Sequence, residues 1–227
     1  MKYELVLLDL DRTLVDFDGA QVISLRKTLE EFSLEYSEEV LESYNAINDY
    51  YWDMLEEGKV TKPRLEVERF RDFINKYKWD IDPIQMNARY MAILPENKIL
   101  YPQAEMVCKQ IAEVADIVVA TNGSAAGQIK TVENSAIAPF VKAVAVSESA
   151  GYPKPDKRFF EYAMKLSSFT DKSKVLMVGD SLSADIAGAI GFGLDSCWYN
   201  PAKAPLPKDI EPNYIIHELI ELLDIIK

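Results

Sequence analysis

The sequence predicts an α/β protein: a doubly wound parallel sheet with a helical domain inserted into it. Three observations predict it. Short continuous apolar runs recur along the chain, as expected of strands buried on both faces of a parallel sheet. Stretches of helical character separate them, the alternation of right-handed βαβ units. Between 16 and 99 that alternation stops, and apolar residues recur only at helical spacing.

The first run is Leu5-Val6-Leu7-Leu8. The insertion follows, with Ser37 as the cap of a helix through Glu57 that Gly58 ends. Thr61 with Pro63 starts a second helix to about Lys78, and Asp82-Pro83 a third to about Leu94. Leu41, Tyr44, Ile47, Tyr51 and Leu55 keep helical spacing here. Further apolar runs stand at 117–120, 143–146 and 175–178, with a weaker one at 197–199. Helices are expected at 105–114, 125–135, 157–166 and 183–190. The four prolines from Pro201 to Pro212 read as an ordered surface loop before a terminal amphipathic helix. The expected organisation is a discontinuous Rossmann-like core, 1–15 with 100–227, and a helical cap domain over 16–99. A domain inserted after the first strand would lie over the sheet's carboxyl edge, where open α/β sheets bind ligands.

With 227 residues the chain needs no disulfide staples to bury a core. Net charge is −12 and the pI near 4.7. A phosphate-backbone binder needs a positive stripe, so polymeric nucleic acid is excluded as a partner, and an anionic membrane surface by the same sign. Cys108 and Cys197 have neither metal nor redox spacing and point to a reducing compartment. Met1-Lys2-Tyr3-Glu4 opens neither a signal nor a transit peptide, and no apolar run approaches the roughly 20 residues that span a bilayer. A cytoplasmic location is expected, as a monomer or homodimer.

Polar residues concentrate where the apolar runs end. The first closes in Asp9-Leu10-Asp11-Arg12-Thr13, two carboxylates one residue apart on an emerging loop. Unpaired, they repel, which calls for a cation or a raised pKa; a solvated loop start is the plainer alternative. The run at 117–120 leads into Thr121-Asn122-Gly123-Ser124 ahead of a helix, suited to a phosphate oxygen or to simple N-capping. Lys154 stands between Pro153 and Pro155, which stiffen its loop, though a loop lysine is ordinarily a solvated charge. The run at 175–178 ends in Gly179-Asp180, and Asp185 falls in the first turn of a helix, where its dipole alone would favour an acid. A hard cation near Asp9 would want a second carboxylate oxygen, which Asp180 offers. All four groups follow buried strands at one sheet edge, so they can converge on a magnesium-assisted phosphoryl-transfer site.

The order Asp9-x-Asp11-x-Thr13, Thr121, Lys154 and Gly179-Asp180…Asp185 resembles the haloacid dehalogenase-like hydrolases over essentially the whole chain. The flanks Leu14-Val15-Asp16-Phe17, Glu56-Glu57-Gly58-Lys59-Val60-Thr61, Ala120-Thr121-Asn122-Gly123 and Cys197-Trp198-Tyr199-Asn200-Pro201 resemble the noncanonical pyrimidine nucleotidase branch. Arg12 and Pro153 stand where other residues are frequent, at positions that are not catalytic. The resemblance implies a magnesium-dependent 5′-nucleotidase acting on a small phosphate ester, a nucleoside monophosphate, through an aspartyl-phosphate. It implies Asp9 as nucleophile and Asp11 as acid and base, with Thr121 and Lys154 on the phosphoryl oxygens. Backbone N–H groups of Leu10 or Asn122 would assist. Magnesium would be held by Asp9, Asp180 and the backbone carbonyl of Asp11, with Asp185 acting through a water or by orienting Lys154.

Other readings stay open at this point. A haloacid dehalogenase proper needs no metal, and the acids at 180 and 185 argue against it. A phosphonate hydrolase needs a Schiff-base lysine, which neither Lys59 nor Lys62 is singled out to be. A sugar-phosphate phosphatase or phosphomutase shares the core. A receiver domain is about half this length and lacks a helical insertion. A non-catalytic phosphate-binding protein is the reading from outside catalysis. His217 reads as structural, Trp52, Trp79 and the tyrosines of the insertion as helix packing, and Arg64, Arg69 and Arg71 as solvated helix charge. Tyr44, Tyr51 and Trp52 are kept as candidates for stacking a base.

Overall fold

Leu5–Leu8 forms β1, whose four side chains are all buried, and the rest of the sheet is laid out on either side of it. In the computed structural model, which describes residues 2–226, the chain falls into two compact units, Met1–Phe17 with Ile99–Lys227 and Asp18–Lys98. After β1 the second unit contributes α1 (Phe17–Glu31), α2 (Glu38–Glu56), α3 (Lys62–Tyr77) and α4 (Pro83–Asn97). The first unit continues with α5 (Ala104–Ala112), β2 (Asp116–Thr121), α6 (Ala125–Glu133), β3 (Ala143–Val146), a short α7 (Ser147–Ala150) and α8 (Lys157–Leu166). It ends with β4 (Val175–Gly179), α9 (Gly188–Phe192), β5 (Asp195–Tyr199), β6 (Tyr214–Ile216) and α10 (Leu222–Ile226).

The six strands are parallel, in the order β3-β2-β1-β4-β5-β6. The chain winds outward from β1 through β2 to β3, then crosses back to β4 and winds the other way. The reversal opens a crevice at the carboxyl ends of β1 and β4, where such sheets bind ligands. Register is even across it, Leu5 facing Asp116 in β2 and Val175 in β4. Alternation sorts the core into two layers. Leu5, Leu7, Val118, Ala120, Val175 and Met177 pack under Phe159, Phe160 and Ala163 of α8. Val6, Leu8, Ile117, Val119, Leu176 and Val178 pack under Val107, Cys108 and Ile111 of α5 and Leu222 and Ile226 of α10. Both cysteines are buried free thiols.

The two chain segments flanking the helical unit are stitched to each other. Val15 bridges Leu100 antiparallel, Asp16 N–H donates to the Ile99 carbonyl and Tyr101 N–H to the Leu14 carbonyl, each at 2.9 Å.

Within the helical unit, each helix buries one stripe. Ser37 caps α2 by accepting from Val40 N–H, and Asp82 caps α4 through Ile84 N–H. Thr61, expected to cap α3, makes no such bond: Pro63 removes one of the N–H groups that a capping hydroxyl takes. Helix α1 was not expected, because its buried face of Ala20, Gln21, Ser24, Leu25, Thr28 and Leu29 is half polar and gives little periodic signal. Tyr44 is fully buried, 5.5 Å from the Phe70 ring, 5.3 Å from Phe73 and 5.7 Å from Tyr90, so it packs helices and presents no face for a base. Arg69 also departs from its expected solvated place and is 4% exposed. Its Nη1 donates to Asn48 Oδ1 at 2.8 Å, and its guanidinium lies 5.1 Å from the Phe70 ring centroid and 5.3 Å from that of Tyr90. Among the described residues, no helix is long and apolar enough to cross a membrane.

Candidate active site

The motif residues leave the sheet at adjacent strand ends. Asp9 follows β1 directly, and its N–H still donates to the Val178 carbonyl of β4, at 2.9 Å. Asp180 follows β4. Beyond Asp11, Arg12 adopts φ +63°, a left-handed conformation that a side chain takes at some cost and that tends to mark functional loops.

Lys154 reaches the carboxyl edge of the sheet from the loop before α8. Its Nζ donates to Asp9 Oδ1 at 2.6 Å, Asp185 Oδ1 at 2.6 Å and the Ala120 carbonyl at 2.7 Å, which uses all three ammonium hydrogens. The side chain is 3% exposed. The Lys154 backbone is clamped as well. Asn122 Oδ1 accepts from Lys154 N–H at 2.8 Å, and Asn122 Nδ2 donates to the Lys154 carbonyl at 3.0 Å. The lysine is thus held by the loop after β2 in addition to its flanking prolines.

Asp185 is 1% exposed and lies in a single π-helical turn, Leu182–Ala187, between β4 and α9. A widened turn of this kind commonly accompanies a functional side chain. Its Oδ1 meets Lys154, and its Oδ2 accepts from Ser181 N–H at 3.1 Å. Gly179 makes room for it: a Cβ there would come 2.2 Å from Asp185 Oδ2. Asp180 accepts from Thr13 Oγ1 at 3.3 Å, and Trp198 Nε1 donates to its carbonyl at 2.9 Å.

Asp9, Asp180 and Asp185 each offer a carboxylate oxygen, and the three lie within 4.8 Å of one another. Lys154, with the charge of Arg12 also acting on Asp180, faces three carboxylates, so the enclosure is short of positive charge. Burial accordingly pushes Asp9 well above the usual carboxylate range, against the pull of Lys154. Asp180 is pushed up to about 7 by burial, with the nearby charge of Asp185 adding to it. Burial works against the charge on Lys154, but Asp185 and Asp9 outweigh it and hold the ammonium above its ordinary range. Clustered hard oxygens with unbalanced charge fit a magnesium ion better than a soft transition metal.

Thr121 and Asp11 are joined by a residue that the motifs did not single out. Gln128, on the inward face of α6 and 2% exposed, donates from Nε2 to Asp11 Oδ2 at 2.6 Å and to Thr121 Oγ1 at 2.9 Å. Thr121 Oγ1 also accepts from Gly123 N–H at 3.1 Å. The available signal was a glutamine among the inward residues of α6, one helical turn after the cap Ser124. Leu10, between the two aspartates, is fully buried in the core layer under α5. Among the sequence-stated ligands, Asp11 is set apart from the carboxylate trio; its expected contribution to a metal was the backbone carbonyl. His217 Nδ1 sits 2.7 Å from the Asn200 carbonyl.

A parallel sheet in this order, with aspartates after β1 and β4 and a lysine closing on both of their neighbourhoods, defines a hydrolase of the haloacid dehalogenase-like class. The family model of haloacid dehalogenase-like hydrolases matches residues 3–193, and the chain belongs to that family. It is an enzyme. The chain is similar to the pyrimidine 5′-nucleotidase YjjG of Escherichia coli, 30% identical across 98% of this chain and 99% of that one. It is also similar to the pyrimidine 5′-nucleotidase PynA of Streptococcus pneumoniae, 32% identical across 99% and 95%. Among solved structures, the magnesium-bound HAD-hydrolase YfnB of Bacillus subtilis superposes with a TM-score of 0.94 at 32% identity, covering 100% of both chains.

Proposed function

We propose that this phosphatase is a magnesium-dependent 5′-nucleotidase acting on pyrimidine nucleoside monophosphates through an aspartyl-phosphate on Asp9. The observation that carries the reading is the buried ammonium of Lys154 seated 2.6 Å from Asp9 beside a three-carboxylate cluster. The full-length similarity to two pyrimidine 5′-nucleotidases supports the substrate class.

Asp9 attacks phosphorus in line. A bond forms from its carboxylate oxygen to phosphorus, the ester P–O bond breaks, and the electron pair leaves on the nucleoside oxygen. Asp11 gives that oxygen a proton, and the nucleoside departs. Asp11, now a carboxylate, takes a proton from water as the water oxygen bonds to phosphorus. The Asp9–phosphorus bond breaks and inorganic phosphate is released. Lys154, turning the hydrogen it now gives to Asp9, and Thr121 bind phosphoryl oxygens, with backbone N–H groups of Leu10 or Asn122 assisting. Asp185 keeps Lys154 in place. Asp9, Asp180 and the Asp11 carbonyl would hold magnesium, which when bound would neutralise the negative charge that the carboxylates and the phosphoryl group share. The helical unit 16–99 serves as the cap and selects the nucleoside, and the enzyme works in the cytoplasm, as a monomer or homodimer.

A phosphate-release panel over pyrimidine, purine and modified nucleoside monophosphates, sugar phosphates and an aryl phosphate tests this, with and without a chelator. Preference for pyrimidine monophosphates, loss on chelation and loss in Asp9→Asn are expected. Indifference to the base overturns the nucleotidase reading. Undiminished turnover in Asp9→Asn overturns the nucleophile.

A further inference from the structure

We infer that Gln128 is a positioning residue that sets both the proton-transferring carboxylate and the phosphate-binding hydroxyl. The inference rests on the acid–base role of Asp11 given above.

The Gln128 amide nitrogen carries two hydrogens, and each has one acceptor: Asp11 Oδ2 at 2.6 Å and Thr121 Oγ1 at 2.9 Å. With Nε2 toward the site, the amide suits the carboxylate that Asp11 becomes once its proton has left; turned over, its carbonyl oxygen would confront that carboxylate. The side chain is enclosed, and Gly123 permits it to be there: a Cβ at Gly123 would lie 1.8 Å from Nε2. The glycine is required by the amide that lies against it.

Two consequences follow at the reacting atoms. Asp11 Oδ2 accepts from the amide, which fixes the rotation of the carboxyl group and the direction in which its oxygens point at the leaving group. Thr121 Oγ1 accepts from both Gln128 Nε2 and Gly123 N–H, which engages both of its lone pairs and leaves its own hydrogen to donate. One amide thereby orients the acid and turns the threonine hydroxyl into a donor. Gln128 itself touches neither phosphorus nor the leaving group.

A misplaced acid harms most the esters whose leaving oxygen needs a proton. The test compares an alkyl phosphate, uridine 5′-monophosphate or glycerol phosphate if the base is not recognised, with p-nitrophenyl phosphate, whose leaving group departs as a stabilised anion. Gln128→Met keeps length and volume. Its kcat/KM on the alkyl ester is expected to fall up to about 10²-fold, the scale of a misplaced catalytic group, chiefly through kcat, with a smaller rise in KM from the released Thr121 hydroxyl. The loss on the aryl ester should be at least about tenfold smaller, because it needs no general acid. Gly123→Ala, which keeps the glutamine but occupies its place, should give the same split. A single cooperative unfolding transition, with inorganic phosphate still bound though more weakly, separates this from misfolding. Equal losses on both esters, or none on either, overturn the inference while the wild-type panel still stands for the phosphatase. An Asp11→Asn enzyme without the alkyl-selective loss overturns the acid role and the inference together.

Discussion

Asp185 and Lys154 form an ion pair that solvent does not reach: Nζ and Oδ1 are 2.6 Å apart, with side-chain exposures of 3% for the lysine and 1% for the aspartate. Lys154 divides its charge between this carboxylate and Asp9, so removing it leaves both buried carboxyl groups without a counter-charge. Lys154→Met is expected to lose turnover and to cost about 3–5 kcal/mol of stability in metal-free protein, the scale for breaking a buried pair by deleting one partner. Urea unfolding with and without magnesium checks this, and the cation should recover part of the loss. A variant as stable as wild type without metal would contradict the enclosed pair.

Gly179→Ala probes the same carboxylate from the strand side. A methyl at that position would overlap Asp185 Oδ2, so the aspartate must swing away from Lys154 and Ser181. Overpacking of this kind costs about 1–3 kcal/mol. Loss of a group supporting the ligands should weaken magnesium binding by about 10–100-fold. Calorimetric titration of the variant with magnesium measures it; unchanged affinity would show that Asp185 gives the ion no support.

Metal binding and pH should be coupled with a definite sign. Burial raises Asp9 and pushes Asp180 up to about 7, so the folded, metal-free protein holds these protons more tightly than the unfolded chain. The stability these two groups contribute is therefore fully present below the ordinary carboxylate range and is lost as pH rises through about 7. A magnesium ion held by these carboxylates would replace those protons. Its stabilising effect in thermal unfolding should be larger near pH 8 than near pH 5.5, because affinity falls about tenfold per pH unit for each proton displaced. A larger shift at the lower pH would reverse the assignment.

In the helical unit, the guanidinium of Arg69 is buried among neutral partners, and no carboxylate pairs with it among the described residues. Arg69→Met should cost about 1–3 kcal/mol, because Asn48, 1% exposed, loses the donor to its carbonyl. Adding Asn48→Leu removes the orphaned acceptor, so the double variant should be more stable than the single. Denaturant midpoints decide it. Additive destabilisation would mean that the pair contributes nothing as a pair.

Much of the sheet was legible because a doubly covered strand has to be apolar throughout: the runs at 5–8 and 143–146 coincide with β1 and β3. Strand β6, with an exposed Ile215 in its centre, carries no such run. Helix 183–190 resolves into a π turn and α9, a distinction of hydrogen bonding that periodicity does not register. The acids, threonine and lysine stood out through their places after strands. Gln128 did not, since its meaning lies in a contact with Asp11, 117 residues away in the chain. Asn122 was noticed for its backbone, whereas its side chain is what clamps Lys154. Local pattern marks which residues emerge at a strand end; only the folded chain shows which neighbour holds them.

The stitching of 14–16 to 99–101 has a bearing on how such enzymes diversify. The core closes its own seam with Val15 opposite Leu100 and two 2.9 Å hydrogen bonds beside the pair. Whatever leaves the chain at Phe17 and returns at Ile99 needs only to start and finish a hairpin's width apart. Loop-closure entropy grows slowly with length, roughly 0.6 kcal/mol per doubling, so an eighty-residue unit asks only about 2–3 kcal/mol more of that seam than a short turn. The seam thus works as a socket. The helical unit can be exchanged, shortened or rebuilt while the aspartates, the lysine and the glutamine keep their places.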